Sequence, residues 1–314
     1  MKNSHSDYNT EYNSADIQSC PHTDLACESG TSPMSQCGSH YSQYNRGWLQ
    51  VAELEVERGE GERRSGRQAG TYITVYCPVI NGWSDIETDE AADIIAELIQ
   101  KMCRKVTGRP VTPDFKVLVA GLGNRFITAD AVGPRTADLI SVTGHIMGYG
   151  TAVDSIGCCR LYSIHPGVTG QTGIEAAGII RGAADRIKPD AVIAVDALAS
   201  RSTGRLAATI QLTDTGIRPG SGIGNRRSAV DRESVGYPVV AIGVPTVVDS
   251  ATLVYDALEK AGLCAGDERL SKVLREGSSF FVSPRDSDVI TDTIAKLLSL
   301  SINRAFFADG LQSR

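Results

Sequence analysis

Aromatic side chains are scarce in this chain. Phe, Trp and Tyr together make up 6% of 314 residues, so Val, Ile, Leu and Ala must fill any core. Basic excess is also missing. With 31 Lys and Arg against 37 Asp and Glu, the net charge is −6. A general nucleic-acid binder needs a basic surface, so no direct nucleic-acid partner is expected. Nor does that charge favour anionic membranes. No apolar run approaches the roughly 18 residues of a membrane span, and Met1–His5 opens no apolar signal region. The eight cysteines include no C-x-x-C pair, and Cys158 and Cys159 are adjacent. That spacing speaks against a structural zinc site or a thioredoxin-like motif. It fits reduced thiols in a cytoplasmic compartment.

What is present divides into two parts. Residues 1–45 are rich in Ser, Asn, Tyr, His and Gln, with one Lys and no Arg. They offer too little apolar area to offset ordering entropy, which predicts a disordered or loosely docked tail. Residues 46–314 read as a single α/β domain. Strands are predicted at 48–57 and 71–77, joined by a charged Gly-rich loop read as a solvated connection. A helix is predicted near 88–105, where Ala91, Ile94, Ile95, Leu98, Ile99 and Met102 recur at helical spacing.

From Phe115 onward strands and helices alternate. The predicted strands are 116–121, one within 152–164, 191–195, 206–212, 239–244 and 280–283. The predicted helices are 130–142, 173–187, 249–261, 268–275 and 287–305. Such alternation gives a three-layer α/β/α fold with a mostly parallel central sheet, here preceded by N-terminal strands.

In open α/β sheets the ligand crevice lies beyond the carboxyl ends of the strands. Two carboxylates occupy such places. Asp130 follows Gly121-Leu122-Gly123-Asn124 at the mouth of a helix, and Asp196 directly follows Val195. If the two strands are neighbours, both carboxylates face one crevice. Two close carboxylates resist double ionisation, so they can share a proton. One member then takes a proton from water while the other donates to a leaving amine. Each residue alone has a plainer use, since an acid is ordinary at a helix N-terminus. Gly121-x-Gly123 lacks the third Gly of a dinucleotide fingerprint, and no zinc-protease or nucleophile-elbow motif occurs.

Five ordered motifs resemble the germination protease family of spore-forming bacteria. They are Val119–Asn124 with Asp130-Ala131-Val132-Gly133-Pro134, then Pro166-Gly167-Val168-Thr169-Gly170-Gln171-Thr172-Gly173-Ile174-Glu175. Lys188-Pro189-Asp190 through Val195-Asp196-Ala197-Leu198-Ala199 follows, then Thr213-Asp214-Thr215-Gly216-Ile217-Arg218-Pro219-Gly220-Ser221-Gly222, and Ala241–Asp249. Ala129 stands where that family usually has Pro.

The resemblance implies a fold shared with hydrogenase maturation proteases. It implies an atypical aspartic endopeptidase whose catalytic pair falls on Asp130 and Asp196. Its implied substrates are small acid-soluble spore proteins, in the spore core. It further implies a self-processing zymogen, a homotetramer and no required cofactor or metal. The family cuts after an acidic residue and before an apolar one, with Ala and a Glu following. Thr23-Asp24-Leu25-Ala26-Cys27-Glu28 has that order, which predicts a cut between Asp24 and Leu25. Backbone N–H groups of Gly121, Gly123, Asn124 or Gly222 are candidate oxyanion or substrate contacts. The rival readings are a metal-dependent maturation-type peptidase, with His145 or His165 as ligand, and a non-enzymatic nucleotide-binding module.

Overall fold

The computed structural model describes residues 23–28, 38–78, 80, 82–146, 157–220, 227–262 and 280–307. Among the described residues, one sheet of nine strands organises the fold. Its N-terminal part comprises β1 (Ser39–Arg46), β2 (Leu49–Val56) and β3 (Gly70–Tyr76), joined antiparallel. Its parallel part comprises β4 (Lys116–Gly121), β5 (Arg160–Ile164), β6 (Ala191–Ser200) and β8 (Val239–Asp249). The strand β7 (Thr209–Thr213) runs antiparallel to both β3 and β8 and so welds the two parts together. The order is β1-β2-β3-β7-β8-β6-β4-β5, with β9 (Phe281–Val282) on β8. As expected from the alternation, β4 and β6 are neighbours and β5 lies outside them.

The two faces of the sheet are covered differently. On one face pack α2 (Asp85–Thr107), α3 (Val132–Asp138) and α8 (Ser287–Phe306), over alternate strand residues such as Val117, Val119, Ile193, Val195 and Ile242. On the other, α5 (Ala176–Ile187) covers Leu118, Ala120, Val192 and Ala194. The interleaving follows from the period of two along a strand, with apolar residues on both faces. Shorter helices are α1 (Glu60–Ser65), α4 (Thr169–Thr172), α6 (Arg232–Val235) and α7 (Ser250–Lys260).

Several local expectations are corrected. The tail is not structureless through residue 45: Ser39–Arg46 pairs in full register with β2. An edge strand keeps polar side chains because one edge and much of its surface meet water, so its composition hid it. The charged loop holds α1, whose Glu62 carboxylate accepts from the backbone N–H of Gly59 and Ala69, each at 3.0 Å. The helix expected from Gly173 begins instead at Ala176, because Gly173 ends α4 in a left-handed conformation (φ 71°). β7 starts at Thr209, since Ala207 takes φ 53°, outside strand geometry. The helix expected at 268–275 lies outside the described residues.

Candidate active site

The direction in which successive strands are added to the sheet reverses at β4, between its parallel neighbours β5 and β6. From β4 the chain crosses to β5 on one side, then returns past β4 to β6 on the other. That makes the gap beyond their carboxyl ends a topological switch point.

Asp196 lies inside β6, opposite Gly243 of β8, and is 3% exposed. One of its oxygens accepts from the N–H of Ala197 at 2.9 Å. Asp130 ends a 3-10 turn, Thr128–Asp130, that leads into α3. It is half-buried, and its Oδ2 accepts from the Asn124 N–H at 2.7 Å.

Side-chain hydroxyls tie this turn down. Thr246 donates to the carbonyl of Ala129 at 2.6 Å, and Thr291 donates to that of Thr128 at 3.2 Å. Ala129 in place of Pro therefore leaves the turn fixed from outside. Glycines make the fit possible. Gly123 has φ 109°, and a Cβ there would lie 2.1 Å from the Asp130 carbonyl oxygen. A Cβ on Gly121 would lie 2.2 Å from the carbonyl oxygen of Gly133. These glycines bring the strand end and the α3 N-terminus into backbone contact.

Electrostatics follow from this burial. Desolvation pushes the Asp196 carboxyl well above its usual range, and the neighbouring Asp130 charge adds to the rise. Desolvation also raises Asp130, opposed by its Asn124 hydrogen bond and by the Arg227 charge. Arg227 opposes the rise at Asp196 as well. Such a pair, with one proton between its members, is suited to proton transfer. Arg227 was not singled out from sequence; only its place after a Gly-rich stretch hinted at it.

The segment Thr23–Glu28, which ends in a 3-10 turn at Ala26–Glu28, lies against the C-terminal part of β6 and the middle of β7. The N–H of Asp24 donates to the carbonyl of Ala199, and the N–H of Ala199 donates to Asp24 Oδ2, both at 2.9 Å. Leu25 is fully buried and Ala26 nearly so. Glu28 Oε2 accepts from the Arg201 N–H at 2.7 Å, and Oε1 from the Ser202 N–H at 3.1 Å. Gln211 Oε1 accepts from the Ala26 N–H at 2.6 Å. Asp24 is near enough that its charge further raises Asp196.

The remaining sequence candidates fall as follows. Asn124 turns its backbone N–H to Asp130, and Gly121 and Gly123 serve close packing. Gly222 lies outside the described residues. His145 is exposed, and His165 pairs with Asp138 at 3.5 Å on the surface. Among the described residues no three His, Cys, Asp or Glu side chains gather as metal ligands, and no helix is long and apolar enough to cross a membrane.

A germination protease family model matches residues 30–263. The germination protease of Clostridium tetani is 34% identical over 290 residues, covering 85% of this chain and 88% of that one. The germination protease of Caldanaerobacter subterraneus is 36% identical, covering 82% and 84%. Among solved structures, the NiFe hydrogenase maturation protease HycI of Thermococcus kodakarensis aligns with a TM-score of 0.32 and 16% identity, over 61% of this chain and 93% of that one. The fold assignment rests on the sheet order and register above; the family rests on the sequence matches. By those matches, over most of its length, the chain belongs to the germination protease family of peptide hydrolases.

Proposed function

We propose that this chain is an aspartic-type endopeptidase that cuts small acid-soluble spore proteins in the spore core during germination. We propose further that it is made as a zymogen and processes itself between Asp24 and Leu25. Asp130 and Asp196 share one proton. The ionised member takes a proton from water as its oxygen attacks the peptide carbonyl. The protonated member donates to the leaving amine. The cycle needs no cofactor, and the working form is a homotetramer.

One observation carries this reading. A stretch with an acidic residue, an apolar one, Ala and a later Glu is docked beside the Asp130–Asp196 pair, folding into a 3-10 turn at Ala26–Glu28, and its acidic side chains are held by backbone N–H groups. Main-chain hydrogen bonds give the segment its grip, and the buried site of Leu25 gives selectivity. Among the described residues no comparable grouping supports the metal-dependent or nucleotide-binding readings.

Intact-mass spectrometry of the full chain at mildly acid pH tests it, beside Asp130→Asn and Asp196→Asn. The expected result is loss of residues 1–24 from the wild type and from neither variant. Loss from Asp196→Asn at the wild-type rate would overturn the carboxylate pair.

A further inference from the structure

The carbonyl of Asp24, the one the proposed cut would attack, is already gripped by two side chains. Arg67 Nη1 donates to it at 3.1 Å and Gln211 Nε2 at 3.3 Å. The same two residues also hold the neighbouring peptides. Arg67 Nη2 donates to the carbonyl of Leu25 at 2.7 Å, and Gln211 Oε1 accepts from the Ala26 N–H. Their grip thus falls on main-chain atoms either side of a single peptide bond.

The sheet explains why Gln211 can reach this place. Asp196 and Gln211 both pair with Gly243, from β6 and β7 respectively. Directly paired residues share a face, and two strand spacings separate these Cα atoms by roughly 10 Å. Gly243 puts no side chain between them, and a Cβ there would meet Leu198 at 2.5 Å. Arg67 comes from the segment just after α1. Gly66 turns the chain with φ 66°, which sends Arg67 toward the same row. A cavity of about 320 Å³ opens here, lined by Asp24, Arg67, Leu198, Gln211 and Gly243.

Resting on the endopeptidase reading above, we infer that Arg67 and Gln211 are the oxyanion-stabilising pair of the reaction, acting on the carbonyl of the residue before the cut. As water oxygen bonds to the Asp24 carbonyl carbon, the C=O π electrons move onto oxygen. The water proton passes to the ionised carboxylate. The new oxyanion draws on the Arg67 and Gln211 donors, and hydrogen bonds to a charged oxygen are shorter and stronger than to a neutral one. When the oxyanion collapses, the C–N bond to Leu25 breaks, and the amine takes the proton of the other carboxyl group. The four hydrogen bonds named above all go to backbone atoms, so the same donors serve a substrate of different side chains in the same register.

The test uses the full chain, where substrate is already docked, so rate and docking are read separately. Self-cleavage is followed by intact mass in the wild type, Arg67→Met, Gln211→Met and the conservative Arg67→Lys. Docking is read as hydrogen exchange at the Leu25–Cys27 amides, with each change also made in an Asp130→Asn chain that keeps the bond intact. Removal of one oxyanion donor lowers a rate by about 10²–10³-fold. That fall is expected in both Met variants, with exchange faster by less than about tenfold, and with partial recovery in Arg67→Lys. A rate that falls only in step with faster exchange would make the pair a positioning device and overturn the assignment, as would a wild-type rate in either Met variant. Should a Met variant fail to fold, Gln211→Glu, which keeps side-chain length and the Oε1 acceptor but loses the Nε2 donor, decides on the same criterion. A wild-type chain that never cuts, at its own segment or at an added Thr-Asp-Leu-Ala-Cys-Glu peptide, would instead sink the peptidase reading together with this assignment.

Discussion

Asp24 and Ala199 exchange two hydrogen bonds, one through the backbone N–H of Asp24 and one through its carboxylate, both at 2.9 Å. Four residues on, Glu28 accepts from two successive backbone N–H groups, Arg201 and Ser202. The extension of β6 past Asp196 therefore reads two acidic side chains through its backbone N–H groups, with the Arg67 charge close to both. A hydrogen bond to a charged group contributes roughly 1.5–3 kcal/mol. Glu28→Ala removes both of these and the bond from the Thr23 hydroxyl, so self-cleavage in a timed intact-mass series should slow by at least about 100-fold. Glu28→Gln keeps one acceptor oxygen and should fall between. Equal rates in all three chains would show that this carboxylate takes no part in docking.

Burial of Asp196 gives a stability prediction with a definite sign. Its native carboxyl titrates well above the ordinary range, so between the unfolded and native values the folded chain binds more protons. Stability is then fullest at acid pH and declines as pH rises through the native value. Asp196→Asn removes the ionisation. Its Tm should exceed that of the wild type at pH 7–8, with the gain shrinking as pH falls toward the ordinary carboxylate range. A Tm difference that does not change with pH would contradict this.

Arg227 acts on both carboxylates in the same direction, favouring their ionised forms. Its removal in Arg227→Met should raise both. If the active form carries one proton across the pair, the whole pH profile of kcat/KM on an added peptide moves to higher pH. A profile that only drops in height, without moving, would mean that Arg227 binds substrate rather than tuning the pair.

Much of this arrangement was legible in the residues. β4 declared itself through Val117-Leu118-Val119-Ala120, a run apolar on both faces, and β6 likewise through Ala191–Val195. Their neighbour relation followed from crossover geometry, and it brought Asp130 and Asp196 to one crevice. What stayed hidden depended on long-range pairing. Arg67 and Gln211 are 144 positions apart, in a charged loop and in a strand, and neither lies in a recognisable pattern. Only the β3–β7 pairing brings their parts of the chain together. Likewise β1 is polar because it forms the sheet edge, a fact that composition cannot convey.

Gly123 offers the sharpest check on how the site is built. With φ 109°, it already sits where an L side chain is strained, and a Cβ would press on the Asp130 carbonyl and Oδ1 at 2.1 and 2.9 Å. Neither neighbour can yield easily, because the turn is fixed by Thr246 and Thr291. Gly123→Ala should therefore displace Asp130 and cut the self-cleavage rate by at least about a hundredfold, the scale on which misplacement of about 1 Å acts. The matching control is Gly182→Ala in α5, where a Cβ meets nothing within 4 Å. There, Ala favours the helix by roughly 0.5–1 kcal/mol, so Tm should rise slightly with cleavage unchanged. If both substitutions left cleavage at the wild-type rate, the close packing of Gly123 against Asp130 would have no bearing on activity, and the placement of Asp130 would have to come from the threonine contacts alone.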